Sequence, residues 1–360
     1  SSFTLSGTVG GFSDVTITTI DNAANGSGPE TIKSIKYNAP RDYTAQDRAV
    51  TADDYKVLVK SLYANAQSVQ VYGGEDAATP DYGKVYISIK ARSGSNLTEV
   101  TKASLVQSLK SFAVASVTPV IIDPETTFIT ITTTFKYDSS LTTKDVSTLQ
   151  ADVLDAVSFY NTDTLENFTG MFRYSKVLET IDGADTSILS NITKVKMYKY
   201  ITATLNSGLK YTLSFNNAFF NPHSGHNSTA GGIVSSTGFK IINDDSTNEH
   251  FLDDDGAGII RVYYLSGTTR IYTDSTYGTI NYTTGEIILT SATITSISNV
   301  DGAASTQIRV IVQPDSNDVV PVRNQVLSID VANSTITGSV DTIESGSSQA
   351  GTSYTTTSSY

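Results

Sequence analysis

Thr51-Ala-Asp-Asp-Tyr-Lys-Val-Leu-Val-Lys-Ser-Leu62 runs on to Ser68-Val-Gln-Val-Tyr72 and Lys84-Val-Tyr-Ile-Ser-Ile-Lys90, and the change of period between them decides the fold class. Thr51 stands three residues before Asp54, the capping-box spacing, and Tyr55, Leu58, Val59 and Leu62 recur at helical intervals. That predicts a helix over about 52–63. In the third stretch Val85, Ile87 and Ile89 alternate strictly with polar residues, the mark of a half-buried strand. With 68–72 it forms a hairpin whose long loop is Gly73–Asp81.

The same alternation of periods continues downstream. Thr98 caps a second helix striped by Leu105, Leu109 and Phe112 and ended before Pro119; residues 120–122 and 127–135 are strands. Helices at about 143–158, with Val146, Leu149, Val153 and Val157 inward, and at about 170–181, stopped near Gly183, precede a strand at 192–198. Such an order fits an α+β unit with helices on a mixed sheet. After 200 helical periodicity disappears, and strands at about 201–205, 210–215, 258–265, 269–273, 285–290 and 308–313 are separated by Gly, Asn and Asp turns. Thr284-Gly285 turns the clearest hairpin, within 278–289. The expected organisation is a short β segment at 1–50, with strands at 15–20 and 32–37, left from an upstream domain; an α+β domain at 51–199; an all-β domain at 200–332; and a Ser/Thr-rich tail or arm at 333–360. The chain opens with Ser rather than Met, so a fragment or a processed product is expected.

Composition narrows the function classes. With 360 residues, 39% of them apolar, the chain can bury real cores. A net charge of −12 leaves no basic total for a nucleic-acid backbone, and six basic against fourteen acidic residues put −8 of it in 200–360. No Cys is present to supply a disulfide, a thiolate metal site or a nucleophile. No apolar run approaches the roughly 18 residues of a membrane helix.

Candidate chemistry is sparse. His223 and His226 stand three apart in a Gly-containing loop, with no helix to orient them and no third ligand, so a polar turn outweighs a metal site. Asp253-Asp-Asp-Gly256 has the look of a calcium loop but places Tyr264 where the bidentate Glu belongs, so a turn before a strand is expected. No nucleophile elbow, phosphate loop or zinc helix is present, and no catalytic, cofactor-binding or metal residue is assigned. Tyr37, Tyr43, Tyr55, Tyr63, Tyr72, Tyr82 and Tyr86 crowd one region, which suits either a wet protein interface or strand edges.

Ala39-Pro-Arg-Asp-Tyr-Thr-Ala-Gln-Asp-Arg-Ala-Val-Thr-Ala-Asp-Asp-Tyr55, Val71-Tyr-Gly-Gly-Glu-Asp76 and Tyr82-Gly-Lys-Val-Tyr-Ile-Ser-Ile-Lys90 resemble segments of contractile-tail phage baseplate wedge proteins, the baseplate J-like group. The resemblance covers about 37–137 and implies a structural role in the virion tail baseplate, assembled in the bacterial host cytoplasm. It implies a homodimer within each wedge, contacts between wedges forming a ring around the central hub, and association with other wedge proteins. No enzyme activity, cofactor, nucleic acid or membrane is implied. The rival readings are a glycan-binding tail adhesin, which would favour fibre repeats not present here, and a tail-associated hydrolase, which needs a carboxylate pair or metal cluster.

Overall fold

A computed structural model describes residues 32–77, 79–92, 96–114, 116–226, 232–242 and 248–342. The chain is α+β and divides into two compact units, Ser1–Asp123 and Pro124–Tyr360.

The first unit contains helices α1 (Ile32–Ala45), α2 (Ala52–Leu62) and α3 (Glu99–Lys110) with strands β1 (Ala66–Gly73), β2 (Lys84–Ala91) and β3 (Thr118–Ile122). Thr51 caps α2 as its spacing predicts: its hydroxyl accepts from Asp54 N, and the Asp54 carboxylate accepts from Thr51 N at 2.8 Å. Thr98 caps α3 through Thr101 N. β1 and β2 form the expected antiparallel hairpin, and β3 returns parallel to β2 after α3, a connection long enough for a parallel crossover. Leu58 and Val59 of α2 and Leu109 of α3 pack on Val69 and Val71 of β1 and Ile87 and Ile89 of β2. Each fully buried aliphatic side chain there contributes about 1.5–3 kcal/mol.

Residues 32–37, expected as a strand, form the first half of α1 instead. Ile32 and Ile35 are three apart, a helical interval, and alternate with nothing; the chain stays helical through Pro40 to Ala45. The strand expected at 15–20 lies outside the described residues.

The second unit opens with β4 (Glu125–Tyr137), α4 (Val146–Tyr160), α5 (Tyr174–Asp182) and β5 (Ile188–Thr202). β4 and β5 pair antiparallel over most of their length. Leu149, Val153 and Val157 of α4 and Val177 and Ile181 of α5 are fully buried and share one core with Ile129, Ile131 and Phe135 of β4 and Val195 and Met197 of β5. Next come β6 (Gly208–Ser214), β7 (Ser235–Ser236), β8 (Phe239–Ile241), β9 (His250–Asp254), β10 (Ile259–Ser266), β11 (Thr269–Asn281) and β12 (Glu286–Ile297). β8 to β12 are hydrogen-bonded in the order β11-β10-β9-β8-β12, and β11 pairs back onto β12, closing a small barrel with β6 beyond β12.

The chain then returns to the first sheet. β13 (Gln307–Val312) pairs with β5, while β14 (Gln325–Ile329) and β15 (Thr335–Val340) lie end to end, both parallel, along the outer edge of β4. Sequence reading puts a boundary at 199/200 and a tail from 333; in the structure the compact units meet at Asp123/Pro124, and 335–340 is a sheet strand. The physical reason is a shared core, in which Leu252, Ile260 and Ile287 of the barrel are continuous with Ile129 and Val153.

Candidate functional site

The barrel carries the only three consecutive carboxylates of the sequence, and each has a different task. Asp253, fully buried, accepts from Arg261 Nε at 2.9 Å, Arg270 Nη1 at 2.8 Å and the Tyr272 hydroxyl at 2.8 Å. Asp254, also buried, accepts from Ile233 N at 2.7 Å, Val234 N at 2.9 Å and the Tyr282 hydroxyl at 2.6 Å. Asp255 accepts three backbone N–H groups, those of Ala257, Gly258 and Ile259, in the turn before β10. Burial, reinforced by the hydrogen bond each gives to an aspartate, raises the Tyr272 and Tyr282 hydroxyls above the usual phenol range, so both remain donors. These carboxylates face N–H and O–H donors, an arrangement that locks loops to strands and points away from a cation cage. The turn expected before β10 is therefore present, with Asp253 and Asp254 at the end of β9.

The histidines lie apart from one another in role. His226 Nδ1 is 3.1 Å from His223 Nε2, so the two exposed imidazoles spend a nitrogen each on one shared proton, and Phe220 packs edge-on against His226. His250 is buried in β9 with its ring against Tyr264. Among the described residues no group of three or more His, Cys, Asp or Glu side chains could hold a metal ion.

The tyrosine-rich region splits into two sets. Tyr55 is core, and Tyr72 and Tyr86 stack across β1 and β2 with centroids 5.6 Å apart. Tyr37, Tyr43 and Tyr82 stand exposed. The motif residues of the β1–β2 loop prove architectural: a Cβ on Gly74 would lie 1.8 Å from the Asp81 carbonyl, and Asp81 accepts from Lys84 Nζ at 2.7 Å and from the Tyr86 hydroxyl at 3.1 Å.

One surface escapes sequence reading. On the face of the mixed sheet away from α4 and α5, Thr132 and Thr134 of β4, Lys194 and Lys196 of β5 and Thr335 and Thr337 of β15 form exposed rows. Thr134 and Thr337 share a hydroxyl hydrogen bond across them at 2.8 Å. The Lys-Val-Lys alternation at 194–196 signals an exposed strand face, but only the pairing of β15 on β4 completes it.

Residues 51–122 match the family model for C-terminal domain I of the baseplate structural protein gp6, and residues 125–200 match the model for its C-terminal domain III. Two consecutive stretches of the chain are thus similar to domains of the gp6 baseplate structural protein. The seam between them falls where the two compact units meet. The baseplate wedge protein gp6 of Enterobacteria phage T4 is 30% identical over 193 residues, covering 52% of this chain and 29% of that protein. The chain thus spans less than a third of the length of that relative. A chain in the 6-fold symmetrised cryo-EM structure of the anti-feeding prophage baseplate is similar at 14% identity and a TM-score of 0.32, over 46% of this chain and 37% of that one. The baseplate resemblance carried by residues 39–55 and 71–90 is thereby borne out, and its setting is the phage tail baseplate of the virion. No described helix is long and apolar enough to cross a membrane.

Proposed function

We propose that this gp6-type chain is a scaffold of the contractile-tail baseplate wedge that dimerises, links wedges into a ring around the central hub and works without catalysis. The observation that carries the reading is the pair of consecutive gp6 domain matches, each lying within one compact unit with its own core. Supporting it, the buried carboxylates Asp253 and Asp254 are taken up in contacts that join strands and loops. A scaffold that transmits load during sheath contraction gains from such cross-links and from broad sheet faces. Its partners would be other copies of itself and other wedge proteins, met in the host cytoplasm where the tail is built.

Purified chain mixed with neighbouring wedge proteins and imaged by negative-stain electron microscopy tests this. Wedge-shaped or ring-shaped complexes containing the chain are expected. A chain that remains outside every wedge complex overturns the reading.

A further inference from the structure

We infer that His223 and His226 chelate a divalent first-row transition-metal ion, Zn²⁺, Ni²⁺ or Cu²⁺, in the loop between β6 and β7. The site lies beyond the scaffold reading and stands or falls apart from it.

Sequence weighs against a metal there because no helix orients the pair. In the structure a turn does so instead. His226 N donates to His223 O at 3.0 Å, so the two histidines hold the first and last positions of a β-turn. Gly225, third in that turn, has a φ of +78°, the left-handed conformation that glycine adopts without a steric cost. The turn is fastened to the barrel. Gly225 N and Asn221 Nδ2 both donate to Gly256 O, at 2.9 and 3.1 Å, and Gly256 follows the Asp255 carboxylate that accepts three backbone N–H groups. The Phe220 ring, edge-on to His226 with centroids 5.6 Å apart, supports that imidazole from the side.

The ring nitrogens are set for a ligand. A carbonyl oxygen only accepts, so the 3.3 Å contact of His223 Nδ1 with Ser224 O puts the proton of the neutral ring on Nδ1 and the lone pair on Nε2. Metal-bound histidines commonly make this same outer contact to a backbone carbonyl. The His223 Nε2 lone pair has His226 Nδ1 3.1 Å away. Without an ion, His226 Nδ1–H donates to it. With an ion, the His226 proton sits on Nε2 of its own ring instead, both lone pairs meet the metal, and the neutral pair neither gains nor loses a proton overall.

The spacing fits. Two metal–nitrogen bonds of about 2.0–2.1 Å that span 3.1 Å enclose about 100°, between the right angle of square-planar or octahedral coordination and the tetrahedral angle. Each lone pair then points about 40° off the line joining the nitrogens, a turn open to two solvent-exposed rings. Imidazole nitrogen favours Zn²⁺, Ni²⁺ and Cu²⁺ over Mg²⁺ and Ca²⁺, which take oxygen. Residues 200–360 carry fourteen acidic against six basic side chains, a field that draws cations to this half of the chain. Water fills the coordination positions that the two histidines leave.

Calorimetric titration of the tag-free full chain with Zn²⁺, Ni²⁺ and Cu²⁺, in an excess of Mg²⁺ to occupy surface carboxylates, tests the site. One equivalent of each ion should bind, Cu²⁺ most tightly. His223→Ala and His226→Ala should each bind at least about tenfold more weakly, because one imidazole then lacks the partner held beside it. Both side chains are exposed, and unchanged circular dichroism checks folding. Electron paramagnetic resonance of the wild type with less than one equivalent of Cu²⁺ needs no variant, and two coordinated imidazoles are expected in it. A wild type that takes up no ion at about 1 mM overturns the inference, as a site with a Kd of about that size would be half filled. Single variants that bind like the wild type, or a Cu²⁺ spectrum with one imidazole or none, overturn it too, and the pair is then a polar turn.

Discussion

Lys144 reaches across 41 residues of chain to set its Nζ 2.7 Å from a carboxylate oxygen of Asp185, while holding Asp152 at 2.8 Å. Asp185 also accepts from Ser187 N and Ser187 Oγ, so the turn into β5 is tied to the segment that starts α4. The Lys144 ammonium foremost, and then the Ser187 donors, hold the Asp185 carboxyl at about 2.

A carboxyl depressed in the folded state stabilises the fold above its unfolded pKa and loses that contribution as pH falls through the folded value. With an unfolded pKa of about 3.9, the Asp185 contribution is complete above roughly pH 4 and gone near pH 2. Thermal unfolding of wild type and Asp185→Asn over that range should therefore show a gap in favour of wild type at neutral pH that closes toward pH 2. A gap independent of pH would mean that the carboxylate charge has no part in it.

Asp253 should be among the most costly positions of the barrel. Asp253→Ala leaves the Arg261 and Arg270 guanidinium groups, 15% and 35% exposed, without their shared carboxylate. Removing one partner of a buried ion pair costs about 3–5 kcal/mol. The exposed Asp53, paired with Lys56 on the surface of α2, gives the contrast, since such pairs contribute at most about 1 kcal/mol. Urea unfolding of Asp253→Ala and Asp53→Ala should separate them clearly, and similar midpoints would contradict the network.

What sequence makes legible here is what local chemistry determines. Thr51 with Asp54, Thr98, Gly183 after α5 and the Thr284-Gly285 turn all act within a few residues, and the structure has each of them. The pairing of β15 with β4 joins segments some 203 residues apart, as the Thr134–Thr337 hydrogen bond records, and no local pattern announces it. A Ser/Thr-rich stretch resembles a tail until its partner strand is known. The roles of Asp253 and Asp254 were hidden for the same reason, because their donors come from β10, β11 and distant loops. α1 is masked for a local reason, since Pro40 stands inside it and a proline there argues against a continuous helix. The open sheet face is half legible: Lys194 and Lys196 alternate visibly, whereas the threonine rows beside them come together only through the pairing of β4, β5 and β15.

Tyr55 offers a stabilising substitution. Its ring is buried in the first unit's core at 2% exposure, and its hydroxyl has no hydrogen-bond partner among the described residues. Burial raises that hydroxyl above the usual phenol range. A buried polar group without a partner costs about 1–3 kcal/mol, so Tyr55→Phe should leave stability unchanged or raise it by about 1 kcal/mol. Tyr55→Ala, which removes the ring from the contacts with Leu58 and Val59, should cost about 3–5 kcal/mol. A shift of the urea midpoint at constant slope is the measurement; destabilisation by Tyr55→Phe would show that the hydroxyl is satisfied.

Gly285 closes the β11–β12 hairpin under two separable constraints. Its φ is +68°, a conformation that costs a residue with a Cβ about 1–2 kcal/mol. A Cβ there would also lie 2.0 Å from the Asn217 carbonyl oxygen, on the backbone segment after β6, where Gly285 O accepts from Phe215 N at 2.8 Å. Gly267, in the β10–β11 turn, has a similar φ of +64° but nothing within 4 Å of the added carbon. Gly267→Ala therefore measures the conformational cost alone, and Gly285→Ala adds the displacement of Asn217 and the loss of the Phe215 hydrogen bond. The Gly285 variant should be the less stable of the two by more than about 1 kcal/mol, the net worth of a single hydrogen bond. Equal losses at the two positions would mean that the 215–217 segment gives way freely and that β6 is joined to the barrel by its ladder to β12 alone.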